Sequence, residues 1–541
     1  MKGRKVLAML LAMVMVLACV PAMAVEQGAQ VPEGSWTAAK NEPHTITWFV
    51  AYDWFGTVFD PVNNEGCKVL LADTGITLEF SSGDMDKLNM LITTGNLPDV
   101  ITMEATATQR KMLEDAGALE PLEPLIKEYA PDMNVPQSML DWYRNDNGNT
   151  YSLASFYYGD ERTSKEYGGM YVTHNKNFAR SDILEQIGMT YDELNSKEGM
   201  LKALRAVKEK NIQYNGKAVI PYGSFDAASM MDLEMLSTQF GWQPENKDGT
   251  LNTLRRAPEY LEALLWLNTL YNEGLMTDEV FTWNDQQRNE AVASGSVFAG
   301  TGWTGIHRDA RKALYAADNN AKMLFAGRMD ADNKDVYYSG INCAGWTSTM
   351  MNAKAEHKDR IIQLFSYLTS DVSTLNVNYG TNVYDIVDGK MVMKPEVQAE
   401  FDADPTLARA KYVFDFAYLA DWTIIQKYWP DPVTTNEVEL DIQKAEMEKD
   451  LRIYDNKCFV ALDPDAGTDL AAKWTIIDDQ WKQQLPQMIM APTAEECEAM
   501  WKSTLEEIDK LGFPEIEAYR QKKFDMNKAR LGLEFAYPGN R

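Results

Sequence analysis

Thr45-Ile-Thr-Trp-Phe-Val-Ala51, running into Tyr52-Asp-Trp-Phe-Gly56, is the stretch that decides the fold. Seven residues rich in β-branched and aromatic side chains, closed by a glycine, predict a buried strand. A helix is expected through 68–71, then a second strand at Ile76-Thr-Leu-Glu-Phe80, ended by Ser81-Ser-Gly-Asp84. Residues 86–94 place Leu88, Leu91 and Ile92 on one helical face, and Asp99-Val-Ile-Thr-Met103 reads as a third strand. Strand, helix, strand, helix, strand predicts a parallel α/β sheet with right-handed crossovers.

Outward from this unit a second cycle begins near Gly168. Strands are expected at 169–174, 296–299, 322–326 and 346–351, with helices at 198–210 and 356–370. Pro258 opens another helix and Gly274 closes it, with Leu261, Leu264, Leu265 and Leu267 largely on one side. The last ~150 residues are expected to be mainly helical, with Trp474, Trp481 and Trp501 as core anchors. Two α/β units with interleaved strands predict two lobes joined by crossing segments.

The N-terminal 24 residues read as a secretory signal. Lys2, Arg4 and Lys5 precede an apolar run from Val6 to Cys19, and Ala22-Met-Ala24 supplies a cleavage pattern. Val16-Leu-Ala-Cys19 also resembles a lipobox, so lipidation at Cys19 and cleavage after Ala24 are both open. Residues 25–43 read as a flexible tether. Either processing route exports the folded part, away from intracellular nucleotide and nicotinamide pools.

The formal net charge is −28, and removing the three signal cations makes it −31. Such a chain repels nucleic acid and anionic membranes. Cys67, Cys343, Cys458 and Cys497 are far apart and form no C-x-x-C pair, so they read as buried or free thiols. Four His, with neither H-E-x-x-H nor G-x-S-x-G, give hydrolytic chemistry little to work with. No cofactor is expected, and monomer is the default state. Fourteen Trp and 25 Tyr, by contrast, suit both a large core and ligand recognition by stacking.

Several blocks, taken together and in order, resemble the family 1 extracellular solute-binding proteins. Leu88-Asn-Met-Leu-Ile-Thr-Thr-Gly-Asn-Leu-Pro-Asp-Val-Ile101 is similar to that family's short helix followed by Pro-Asp-Val-Ile. Ala116-Gly-Ala-Leu-Glu-Pro-Leu122, Asn149-Thr-Tyr-Ser-Leu153, Tyr171-Val-Thr-His-Asn-Lys176, Asn272-Glu-Gly-Leu-Met276 and Ala293-Ser-Gly-Ser-Val297 resemble its later blocks. Trp501 to Arg530 is similar to the closing helices of its large, lipoprotein-like subgroup. The chain departs from the pattern at Ala353-Lys354, where Ser-Lys is usual. The resemblance implies a type II periplasmic-binding-protein-like α/β fold with a ligand cleft between two lobes and an extended helical C-terminal region. It implies lobe 1 over 44–160 plus 340–385 and lobe 2 over 161–339 plus 386–541. It also implies an ATP-driven importer whose permease subunits receive an oligosaccharide.

Ligands of open α/β sheets bind beyond the carboxyl ends of the strands. Those ends carry Tyr52, Asp53 and Trp54 after strand one, Asp84 after strand two and Glu104 after strand three. Tyr157 and Tyr158 lie on the first crossing segment, Asp226 follows Pro221-Tyr-Gly-Ser-Phe225, Trp303 follows the strand at 296–299, and Trp346 stands beside the returning strand. Indole and phenol faces suit the C–H face of a sugar, and carboxylates suit its hydroxyls. The cleft carboxylates Asp53, Glu104 and Asp226 also invite a glycosidase reading, although nothing in the sequence pairs any two of them, and a peptide or polyamine ligand is a further alternative. Gly300-x-Gly302-x-x-Gly305 matches a dinucleotide fingerprint by letter only, and Asp330-x-Asp332-x-x-Asp335 breaks calcium-loop spacing; neither is expected to bind.

Overall fold

The computed structural model describes residues 34–157, 173, 175–223, 231–302, 307–326, 328–331, 333, 335–340, 343–371, 383–414, 428 and 452–541. The signal segment with Cys19 and the strand expected at 169–174 therefore lie outside the described residues, apart from the isolated Thr173. Among the described residues no helix is long and apolar enough to cross a membrane.

The opening unit forms as its pattern predicts. β1 is His44–Val50, α1 Glu65–Thr74, β2 Ile76–Ser82, α2 Met85–Thr94 and β3 Val100–Glu104. Asn64 caps α1 by accepting the Cys67 N–H, and Asp84 caps α2 by accepting the Lys87 N–H. β1 runs parallel to both β2 and β3. Ile46, Trp48 and Val50 face one side of the sheet, while Phe49 and Ala51 face the other, and all are buried. Burial on both faces explains why this strand reads as an apolar run with little alternation.

The sheet then departs from the all-parallel expectation. β4 (Ser152–Ala154) is separated from β3 by a strand arriving from far along the chain, β10 (Thr347–Met351), and β10 is antiparallel to both. The chain returns from the other lobe at the edge where β3 and β4 end, so it can enter the gap only in the reverse direction. A buried Thr102–Thr349 hydroxyl pair, 2.7 Å apart, ties β3 to β10, and Trp48 Nε1 donates to Thr102 Oγ1 at 2.8 Å.

The second sheet has β8 (Met323–Ala326), β5 (Lys176–Arg180), β7 (Val297–Gly302) and β6 (Ile220–Tyr222) side by side. β5 is antiparallel to β8 and β7, and β6 is parallel to β7. Helices α3 (Lys197–Glu209), α4 (Met231–Gln239) and α5 (Pro258–Asn272) pack around it. The C-terminal helices α7 (Asp469–Ile489), α8 (Ala494–Lys510) and α9 (Phe513–Leu531) complete the same core. Trp481 and Trp501 are buried there; Trp481 Nε1 donates to Tyr260 Oη at 2.9 Å and Trp501 Nε1 to the Arg255 carbonyl at 3.0 Å. Trp474 is only half-buried, lying under the guanidinium groups of Arg520 and Arg255.

Short β9 (Tyr338–Ser339) and β11 (Ile453–Tyr454) pair in parallel between the two bodies. Helix α6 (Lys358–Leu368) covers the first sheet, as its apolar face requires. The segment before 415 also belongs with the first lobe. Asn64 Nδ2 donates to the carbonyls of Ala410 and Val413, and Phe414 packs against Phe59 and Phe80. The boundary expected at 385 is corrected here, because Phe414 finds its apolar neighbours in the first core.

Candidate functional site

The reversed strand β10 creates the site's geometry. β1, β3 and β4 finish at one edge of the first sheet, and β10 starts there, with Thr347 opposite Glu104 and Ser348 opposite Ala154. Residues just beyond three C-termini and just before one N-terminus therefore converge: Tyr52, Glu104, Phe156 and Trp346. Backbone bonds lock the edge. Ala51 N–H donates to the Thr102 carbonyl, Ala105 N–H to the Trp346 carbonyl and Trp346 N–H to the Ser155 carbonyl.

Three rings form a shelf on this edge. The Trp54 and Trp346 planes lie 4° apart with centroids at 6.3 Å, an offset-parallel arrangement. Tyr52 sits against both, at 4.9 Å from Trp54 and 5.8 Å from Trp346. Phe156, held at φ 54, meets Trp346 edge-on at 5.7 Å. Trp54 remains 59% exposed, far more than an indole in a core. Its loop is nonetheless anchored, since Phe55 is buried and its carbonyl accepts from Ser82 Oγ at 2.9 Å.

Glu104 lies beneath the shelf. Tyr52 Oη donates to its Oε2 at 2.6 Å. Burial pushes the Glu104 carboxyl above its ordinary pKa, and the Tyr52 hydrogen bond opposes part of that rise. The pair presents a polar group at the foot of an apolar surface.

The other expected site residues are placed differently. Asp53 is exposed beside Trp54. Asp84 spends its carboxylate on the N-terminus of α2. Tyr157 is corrected from ligand contact to core: it is 1% exposed, with the Lys457 ammonium 5.4 Å from its ring centroid. Tyr158, Asp226 and Trp303 lie outside the described residues. Gly300 and Gly302 are ladder residues of β7, opposite Phe178 and Lys176, so they form no phosphate-binding turn. The Asp330 carboxylate accepts from Tyr338 Oη at 2.7 Å and from Arg328.

On the second lobe, the matching edge rests on a buried amide and hydroxyl network. Tyr222 Oη donates to Thr301 Oγ1, Thr301 to Asn177 Oδ1, Asn177 to Gln239 Oε1, and Gln239 to Asn175 Oδ1. Each polar atom has a partner, which rigidifies the strand ends. The sequence reading missed this network because its five members are scattered over three strands, a helix and the residue just before β5.

A cavity of about 500 Å³ opens between the lobes near the paired strands β9 and β11. Thr106 and Thr108, just beyond Glu104, line one side. Glu234, Trp242, Tyr454, Phe459, Trp474 and Arg520 are among the residues lining the rest. None of the shelf rings lines it; Glu104 and Thr106, two residues apart on the chain, are the covalent link between shelf and cavity. No local pattern marks these residues, since each comes from a different element.

Two lobes, each an α/β sheet, with an aromatic shelf and a cavity where they meet, define a ligand receptor of the two-lobed binding-protein class. The chain belongs to the bacterial extracellular solute-binding protein family, whose pattern it matches over residues 68–374. Its fold is shared with an alginate-binding protein, AlgQ2, at 16% identity and a TM-score of 0.63, over 90% of this chain and 99% of that one. It is shared equally with FusA, an ABC-transporter substrate-binding protein of S. pneumoniae in complex with kestose, at 16% identity and 0.63, over 90% and 100%. A Bifidobacterium longum infantis solute-binding protein described as binding HMO gives 15% and 0.62, over 90% and 99%. Lipoprotein LipO of Bacillus subtilis is 24% identical over 323 residues, 56% of this chain and 60% of LipO, so the match spans less than two thirds of that relative.

Proposed function

We propose that this protein is an exported receptor that captures an oligosaccharide between its lobes and delivers it to the permease of an ABC importer. The observation that carries this reading is the shelf of Tyr52, Trp54 and Trp346 set over the Glu104–Tyr52 pair. Parallel indole faces match the C–H faces of pyranose rings, and a carboxyl at their foot accepts a hydroxyl hydrogen bond. The saccharide ligands named for the structural relatives support the same class.

Ligand touching both lobes favours the closed arrangement by its differential contacts, and closure is the signal a permease reads. On this reading the protein binds the sugar without chemistry on it, and Glu104 serves as an acceptor steadied by the Tyr52 hydroxyl. Residues 25–541, titrated calorimetrically against neutral oligosaccharides, should bind one glycan class at micromolar level and release no reducing ends. Heat with peptides or polyamines alone would overturn the substrate class, and new reducing ends would overturn the receptor reading.

A further inference from the structure

We infer that the Arg520–Asp463 ion pair, on the wall of the cavity beside β9 and β11, is a clamp for the hydroxyls of an uncharged sugar unit and makes this subsite refuse uronate and aminated units. This rests on the proposed oligosaccharide reading and adds where a further unit sits and what charge it carries. Arg520 stands on α9 and Asp463 on the segment between β11 and α7, and both line the cavity. Asp463 Oδ1 accepts from Arg520 Nε at 2.9 Å and from Nη2 at 2.6 Å. The guanidinium carbon also lies 4.0 Å from the Trp474 ring centroid, so the pair is held from two directions. One acceptor and one donor are left over. Asp463 Oδ2 and Arg520 Nη1 have no hydrogen-bond partner among the described residues, and the two side chains are 48% and 18% exposed, so a ligand can reach them.

A sugar hydroxyl both donates and accepts, so a pair of neighbouring hydroxyls fits a charged acceptor set beside a charged donor, and such bonds are stronger than neutral ones. A ligand carboxylate fares differently. One fork of the guanidinium, Nε with Nη2, is already filled by Asp463, so the carboxylate meets a cation that is neutralised. The wider charges balance too. Arg255 pairs with Asp478, which Lys482 also holds at 2.8 Å, and the exposed Glu234 is the third acid. Three cations against three acids leave no net charge around the cavity, in a chain whose formal net charge is −28. Neither a uronate nor an ammonium finds a surplus counter-charge, yet each gives up hydration on entry. The volume is that of a small-ligand site. Because Thr106 and Thr108 come from the first lobe and the clamp from the second, a unit bound here touches both bodies and contributes to closure.

The test is calorimetry on residues 25–541 with neutral gluco-, manno-, galacto- and fructo-oligosaccharides from di- to tetrasaccharide, and with oligogalacturonates and glucosamine oligomers of the same lengths, peptides and spermidine serving as controls. The unaltered protein should bind one neutral series more tightly than either charged series, by about tenfold or more. Asp463→Asn keeps the shape of the pair, withdraws the charged acceptor and leaves the guanidinium uncompensated. It should lower the ratio of uronate Kd to neutral Kd by about tenfold or more, with thermal melting of the free variant read alongside. If the variant fails to fold, the comparison of the three series in the unaltered protein stands. A charged series bound as tightly as the neutral one, or a ratio in the variant within about threefold of the parent's, would overturn the clamp and leave the oligosaccharide reading intact. Heat with peptides or spermidine but with no saccharide would overturn the oligosaccharide reading itself.

Discussion

Trp54→Ala separates a ligand platform from a structural ring, and its effect can be worked out from exposure. An aromatic side chain offers about 150–250 Å² of surface. At 59% exposure, Trp54 leaves roughly 100–150 Å² in solvent. A sugar ring lying on one face covers about half of that, roughly 50–75 Å². At about 25 cal/mol per Å², the lost burial is about 1.2–1.9 kcal/mol, roughly an 8- to 25-fold rise in Kd. The folded state loses less, because the ring is already mostly in water. Its contacts to Tyr52 and Trp346 are worth about 0.5–1.5 kcal/mol at most. The assay is isothermal titration with the sugar that binds the parent protein, alongside thermal melting. The expected outcome is a Kd raised roughly eightfold or more with Tm lowered by no more than about 4 °C. A Kd within about twofold of the parent would show that the shelf does not hold the ligand.

Other perturbations probe the supports. Glu104→Gln keeps an acceptor for Tyr52 but removes a carboxyl whose folded pKa is raised. The stabilisation tied to the protonated Glu104 is present below its unfolded pKa and is lost as pH rises through the folded one. Urea melts should therefore show the variant gaining on the parent as pH increases, and a pH-independent difference would contradict the assignment. Thr102→Val leaves the buried Trp48 Nε1–H and the Thr349 hydroxyl short of a partner and should cost about 1–3 kcal/mol by denaturant unfolding. Asp478→Ala removes the carboxylate that pairs with both the buried Arg255 and Lys482 and should cost about 3 kcal/mol in the same assay.

The βαβαβ unit was legible because β1 and β3 are buried on both faces, β2 buries Ile76 and Leu78 on one, and each helix has a capping residue and a terminal glycine. The antiparallel β10 was not legible. A strand's residues record that it is buried, but its direction is set by where the chain re-enters. The same limit governs the site. Tyr52, Trp54 and Glu104 could be picked out as strand-end residues. That Tyr157 is buried depends on packing, which no letter announces. Trp474 was taken as a core anchor from its type, whereas two neighbouring arginines make it a rim residue.

The middle of the first sheet is filled by residues that leave the ribosome late. Thr102 and its hydroxyl partner Thr349 are 247 positions apart. Until β10 arrives, β3 and β4 are two unfinished edges with no ladder between them, and a nascent chain ending before 347 cannot close that sheet. Contacts of this range make folding slow. Delay of this kind leaves the N-terminal lobe unfinished until most of the chain has been made, and it acquires its final shape only when the segment that also positions Trp346 arrives.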